Sequence, residues 1–132
     1  MAVPKSTGIH HLRLTVSDIE RSIKFYADVL GFEVRMRFGQ NSALLHDGNL
    51  GLGLNTPWHE IPADQLRFDE ARVGLDHIGF RVNSPDEVRQ AIEHLDGLGI
   101  PHSGFKPGRL PESCLVVFRD PDNIQLEFYY SP

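Results

Sequence analysis

The sequence predicts an α+β fold made of two copies of one strand–helix–three-strand (βαβββ) module, at about 8–55 and 74–130. Three observations predict it. The stretch Ile9-His10-His11-Leu12-Arg13-Leu14-Thr15-Val16-Ser17-Asp18 is echoed by Leu75-Asp76-His77-Ile78-Gly79-Phe80-Arg81-Val82-Asn83-Ser84. Each copy is followed by apolar residues at helical spacing, and each helical pattern by three short extended segments.

In the first copy Leu12, Leu14 and Val16 alternate as in a half-buried strand. Ser17 or Asp18 then caps a helix carrying Ile19, Ile23, Tyr26, Ala27 and Leu30 on its apolar side, ending at Gly31. Extended segments follow at about 32–38, 42–46 and 50–55. Residues at about 56–73, with Pro57, Pro62 and mixed charge, read as a linker. The second copy repeats the order. Ile78, Phe80 and Val82 form the strand pattern, and Ser84 precedes Pro85 at the first helical position. Val88, Ala91, Ile92 and Leu95 recur until Gly97 and Gly99, and segments at about 101–105, 114–119 and 124–130 complete the module. A module of about 60 residues buries its own sheet poorly. The two are therefore expected to form a single domain, packed together or against another subunit.

Composition narrows the function classes. With 40% hydrophobic and 23% charged residues, 12 Gly and 9 Pro, the chain is globular and rich in turns. Thirteen Lys and Arg, scattered singly, against 18 Asp and Glu give a net charge of −5, which argues against nucleic acid as a partner. Cys114 has no second cysteine to bridge. The amino-terminal residues lack a signal-peptide pattern, and no run reaches the roughly 18 apolar residues of a membrane span. The expectation is a cytoplasmic protein with no membrane partner. Seven histidines remain to be explained.

Strand parity sorts them. If Leu12, Leu14 and Val16 face the helix, then His11, Arg13 and Thr15 face the other side. The same rule puts His77, Gly79 and Arg81 opposite Ile78, Phe80 and Val82. It also sets Gln125, Glu127 and Tyr129 opposite Ile124, Leu126 and Phe128, and Gly51, Gly53 and Asn55 opposite Leu50, Leu52 and Leu54. His11, His77 and Glu127 thus share the non-helix faces of the first and last strands. Two imidazoles and a carboxylate are a ligand set for a divalent transition metal with positions left open for water or substrate. His10 has the wrong parity and is expected outside the site. His46, His59, His94 and His102 are expected to face solvent, Cys114 to be a buried thiol, and Asp120-Pro121-Asp122-Asn123 to be a tight turn.

His11 through Asp18, Ser22-Ile23-Lys24-Phe25-Tyr26 and Leu30-Gly31-Phe32 resemble the first module of the vicinal oxygen chelate superfamily, and Asp120 through Glu127 resembles its closing motif. The resemblance implies paired βαβββ modules curled into a U-shaped mixed sheet around a cavity, with helices on the outer face. It also implies a homodimer in which modules of two subunits complete each site.

Departures from individual family members sharpen the reading. Glyoxalase I and the epimerases place a fourth ligand where this chain has Gly53, leaving Glu127 without an opposed carboxylate. Extradiol dioxygenases share the two-His, one-Glu set but carry His and Tyr where Leu110 and Val117 stand here. Fosfomycin-modifying enzymes have Thr at the position of Arg13, although Lys106, Arg109 and Ser113 offer groups for an anion. Bleomycin-resistance proteins bind an aromatic drug without the metal ligands. Gly51, Gly53 and Gly79 leave room for such a ligand, and Phe38, Trp58, Phe105 and Tyr129 are aromatic groups to stack on it.

The resulting expectation is a metal-dependent enzyme (lyase, transferase or dioxygenase) acting on a small oxygenated molecule. His11, His77 and Glu127 would hold Fe, Mn, Ni, Co or Zn. Glu127 and Arg13 are the catalytic candidates, and Arg13, Gly53, Asn55, Trp58, Gln125 and Tyr129 the substrate-binding ones. The alternative is a non-catalytic protein that sequesters an aromatic natural product or antibiotic.

Overall fold

Alternating apolar residues give the first strand, β1 (His11–Thr15), in which Leu14 is buried while His11, Arg13 and Thr15 are exposed. The computed structural model describes residues 2–132, and the described chain divides into two compact units, one through Ile61 and one from Pro62 onward. No helix among the described residues is long and apolar enough to cross a membrane.

In the first unit β1 leads into helix α1 (Ile19–Leu30). Asp18 is its cap: the carboxylate accepts the Arg21 amide at 3.1 Å, satisfying an amide the first turn leaves unpaired. Gly31, in the left-handed region at φ 73°, ends the helix, and its amide bonds back to the carbonyl of Ala27. The buried face carries Ile19, Ser22, Tyr26 and Val29. Ala27, expected on that face, is exposed instead, because Ser22, Tyr26 and Val29 sit at steps of four and three that track one side of the helix. Strands β2 (Glu33–Arg37), β3 (Ser42–His46) and β4 (Gly51–Asn55) follow. The sheet order is β1-β4-β3-β2, with β1 parallel to β4 and the other pairs antiparallel. The edge strand β2 is exposed throughout and bulged between Val34 and Met36, with charged Glu33, Arg35 and Arg37 along it. Bulges and charges discourage an open edge from pairing with another strand.

The second unit repeats this plan with β5 (His77–Arg81), α2 (Pro85–Gly97), β6 (Lys106–Pro107), β7 (Cys114–Arg119) and β8 (Gln125–Tyr130), in the sheet order β5-β8-β7-β6. Again the first and last strands are parallel. The hydroxyl of Ser84 accepts the Glu87 amide at 3.1 Å and Pro85 opens the helix, while Val88, Ala91 and Leu95 are buried. Helix α2 packs on β7 and β8. Each unit is therefore a βαβββ module, and the chain is α+β.

Two local expectations change. The segment predicted at 101–105 is an isolated bridge from His102 to Phe118, and regular pairing starts only at Lys106. Pro101 and Pro107 donate no amide, and Gly104 adopts φ 74°, so a continuous ladder cannot form. His102 is correspondingly not solvent-facing. Its side chain is 14% exposed, with Nε2 at 2.7 Å from the Asp96 carboxylate and Nδ1 accepting the Gly104 amide at 2.9 Å.

The stretch read as a linker is partly built into the second unit. After a short 3₁₀ turn at Ala63–Gln65, the Phe68 amide donates to the Asp122 carbonyl at 2.8 Å, and the Asn123 side-chain amide donates to the Phe68 carbonyl at 3.0 Å. Glu70 then receives both terminal nitrogens of Arg119, at 2.7 and 2.9 Å. These bonds hold the Glu70 carboxyl at a pKa of about 2, down from an ordinary 4.5. The Asp120 carboxylate accepts the amides of Asp122 and Ile124 at 2.9 and 2.8 Å, making the expected tight turn into β8.

Two outcomes test this account. Asp18→Ala should lower the unfolding free energy by about 1 kcal/mol, read by urea denaturation, through loss of the α1 cap. Because the pKa of Glu70 is depressed on folding, its contribution is complete above the ordinary carboxyl value and is lost as pH falls through about 2. The difference in urea midpoint between the natural chain and Glu70→Gln should therefore stay constant down to about pH 5 and close progressively below it.

Candidate functional site

In the first unit the parallel register of β1 and β4 sets His11 beside Gly51, Arg13 beside Gly53 and Thr15 beside Asn55. Both glycines give close approach to the neighbouring side chain. A Cβ on Gly51 would stand 3.1 Å from the His11 Cβ, and one on Gly53 would stand 3.1 Å from the Arg13 guanidinium carbon. His11 is exposed, and its Nδ1 lies 2.8 Å from the Nδ1 of His10, with the two rings edge to face. One of these nitrogens donates and the other accepts, so His11 is left with Nε2 as its open nitrogen. Arg13 Nη1 donates to the Asn55 side-chain oxygen at 2.9 Å and the Ser42 hydroxyl at 3.4 Å. Asn55, predicted as a ligand contact, is buried and held by Arg13, Thr15 and the Thr56 carbonyl. Trp58 is 86% exposed.

In the second unit β5 and β8 are parallel, with Gly79 beside Glu127 and His77 beside Gln125. Glu127 reaches across the bare Gly79 position: its Oε2 lies 3.8 Å from where a Cβ on Gly79 would stand. Its other oxygen lies 3.6 Å from His77 Nε2. His77 Nδ1 is 2.7 Å from the Asp76 carboxylate. An ionised carboxylate only accepts, so Nδ1 carries a hydrogen, and Nε2 is the nitrogen on the side of Glu127. Gln125 is engaged elsewhere, its side-chain oxygen accepting Arg119 at 3.1 Å. Tyr129, on the same face, is half-buried, and its hydroxyl lies against Gly108.

The structure thus brings two of the three predicted ligands together, and the third, His11, lies in the other unit. No group of three or more His, Cys, Asp or Glu side chains able to hold a metal occurs among the described residues. The pair in the second unit nevertheless fits a metal. Donors bound at about 2.0–2.2 Å and at tetrahedral or octahedral angles stand about 3–3.5 Å apart, and the observed 3.6 Å is within a few tenths of that. Glu127 is 8% exposed, and a carboxylate so far removed from water is stabilised by a cation.

The residues missed from sequence are those just before each histidine. Asp76 and His10 both engage the Nδ1 of their neighbour. A signal was present, because the two occupy the same position of the repeat. Parity excluded His10, since it describes where a side chain leaves the strand and not how far it can turn back at the strand's end, and Asp76 was given no role.

Known proteins resemble this chain in sequence and in fold. The family described as "Glyoxalase/Bleomycin resistance protein/Dioxygenase superfamily" matches residues 8–128. A metallothiol transferase FosB of Lysinibacillus sphaericus is 29% identical over 122 residues, covering 92% of this chain and 81% of its own. A catechol-2,3-dioxygenase of Bacillus subtilis is 28% identical over 130 residues, covering 97% of this chain but 43% of the enzyme. The solved glyoxylase/bleomycin resistance protein/dioxygenase domain of Frankia sp. EAN1pec superposes with a TM-score of 0.80 at 30% identity, covering 97% of this chain and 94% of that one. Two βαβββ modules, each with a histidine on its first strand, and a match running almost end to end place the chain in the glyoxalase/bleomycin resistance protein/dioxygenase superfamily.

Proposed function

We propose that this protein is a metal-dependent enzyme acting on a small oxygenated molecule, with His11, His77 and Glu127 as the protein ligands. The observation that carries the reading is the His77–Glu127 pair, whose donor atoms stand 3.6 Å apart while Asp76 holds the opposite ring nitrogen. Similarity to a metallothiol transferase and a dioxygenase supports a divalent ion and an enzyme, and leaves the reaction open among those of the superfamily. Any of Fe, Mn, Ni, Co or Zn suits two imidazoles and a carboxylate. When bound, the ion supplies Lewis-acid stabilisation of negative charge on a substrate oxygen.

The chain's own residues do the rest. Glu127 offsets part of the ion's charge, and the hydrogen bonds to Asp76 and His10 keep His77 and His11 turned with Nε2 outward. Arg13 donates hydrogen bonds to the substrate's negative oxygen, which makes it the second catalytic candidate after Glu127. Gly53 and Gly79 keep the sheet face low beside Arg13 and Glu127, and Tyr129 and Trp58 bound the substrate's apolar part. We propose that Asn55 and Gln125 act through Arg13 and Arg119 rather than by touching substrate, because both are already bonded to those guanidinium groups. The working form is a homodimer, in which modules of two chains supply one ligand set.

Calorimetric titration with Mn²⁺ or Zn²⁺ tests the reading. The natural chain should bind with micromolar or tighter affinity, and at a hundred times Kd the metal should add about 2.7 kcal/mol of stability, read as a rise in Tm. His11→Ala, His77→Ala and Glu127→Gln should each abolish that rise. Asp76→Ala leaves the three ligands in place and should weaken metal binding about 10–100-fold, because the His77 ring loses its orienting bond. A natural chain that binds neither metal and captures an aromatic ligand equally well after His11→Ala and His77→Ala would instead be a sequestering protein.

A further inference from the structure

We propose that Arg13 is a prebuilt receptor for an oxyanion group of the substrate, so that the molecule the protein acts on is itself an anion, carrying a carboxylate, phosphonate or phosphate next to the oxygens that address the metal. The inference rests on the reading of His11 as a metal ligand and adds the class of substrate to it.

The first support is how the guanidinium is held. It lies across Gly53, where a Cβ would stand 3.1 Å from its carbon and 3.2 Å from Nε. Nη1 is fixed by the Asn55 side-chain oxygen at 2.9 Å and the Ser42 hydroxyl at 3.4 Å. Asn55 is 4% exposed and donates its own amide to the Thr15 hydroxyl and the Thr56 carbonyl, so its oxygen is committed to Arg13. An arginine pinned in this way loses little further freedom when it binds.

The second support is charge. Both partners of Nη1 are neutral, and no carboxylate stands within 4.0 Å of Arg13 among the described residues. Three other arginines are paired with carboxylates, Arg37 with Glu20, Arg89 with Asp86 and Arg119 with Glu70. Arg13 keeps a full positive charge, with Nη2 and Nε without acceptors among the described residues. Those two nitrogens form the fork that takes both oxygens of a carboxylate or phosphonate.

Position is the third support. Arg13 follows His11 by two residues on the same face of one strand, a backbone spacing of about 6.7 Å. The two side chains thus rise from neighbouring positions of one face, where a small molecule with chelating oxygens at one end and an acid group at the other can address both.

The test compares two chelators of the same class on the full-length, Mn²⁺-loaded protein by calorimetry: acetohydroxamate, and succinohydroxamate, which adds a carboxylate arm. The natural protein should prefer succinohydroxamate by at least about tenfold, the usual scale of a charge-assisted bidentate contact. Arg13→Met should bring the ratio of succinohydroxamate to acetohydroxamate affinity down to about one. Gly53→Ala keeps the charge but displaces the guanidinium, and should reduce the preference as well. No preference in the natural protein, or one that survives Arg13→Met, overturns the proposal while the metal reading stands. A metal-independent arm follows the Arg13 Nε–H resonance, assigned by its absence in Arg13→Lys, as inorganic phosphate is added to the metal-free protein. A saturable shift is expected. If the protein takes up no Mn²⁺ but shows that shift, the metal reading fails and the anion receptor stands; if it shows neither, both fail.

Discussion

The parallel pairing of the first and last strands in each module is the constraint on which the candidate chemistry depends. A parallel neighbour cannot be reached by a hairpin, so the chain must cross back over the sheet, and α1 or α2 together with two intervening strands provides that return. Once β1 lies beside β4, and β5 beside β8, residues forty or more positions apart share one face at strand spacing. Glu127 meets His77 for this reason, and Arg13 meets Gly53 and Asn55 for the same one. In both places the residue facing the functional side chain from the neighbouring strand is glycine. The glycine surrenders its own side-chain volume to the group opposite.

Two arginines show how the same side chain is put to different ends. Arg119 is saturated: Glu70 takes both terminal nitrogens, and Asn123 and Gln125 take further bonds, so the group ties the segment after Pro62 to its sheet. Arg13 is oriented by neutral oxygens alone. A carboxylate partner stabilises the fold and consumes the charge, whereas an amide partner fixes direction and leaves the charge available. The identity of the partner therefore separates a structural arginine from one prepared for a ligand.

The histidines follow a related logic. His11 and His77 occupy equivalent places in the repeat, and in each the preceding residue engages Nδ1. The partner differs, imidazole in one module and carboxylate in the other. An ionised Asp76 can only accept a hydrogen, while His10 can either give or take. The two modules thus orient equivalent imidazoles through chemically different partners.

Much of this was legible in the residues themselves. The repeat, the alternation of Leu12, Leu14 and Val16, and the helical spacing of Val88, Ala91 and Leu95 determined both modules and the face on which His11, His77 and Glu127 emerge, because strand and helix periodicities are local properties of the chain. Residue type before each helical run also offered Ser17 or Asp18 as the first cap, of which the structure uses Asp18, and placed Ser84 ahead of the second helix. Local periodicity failed at 101–105, where prolines and a left-handed glycine broke an otherwise extended segment. Only the tertiary structure decided which polar groups are already spent. Asn55 and Gln125 read from sequence as groups free to meet a ligand, and folding commits them to Arg13 and Arg119. Asp76 carried no role in the sequence reading, and the structure turns it onto His77. Hydrogen bonds between residues distant in the chain depend on strand register and side-chain rotation, and neither is encoded in spacing along one segment.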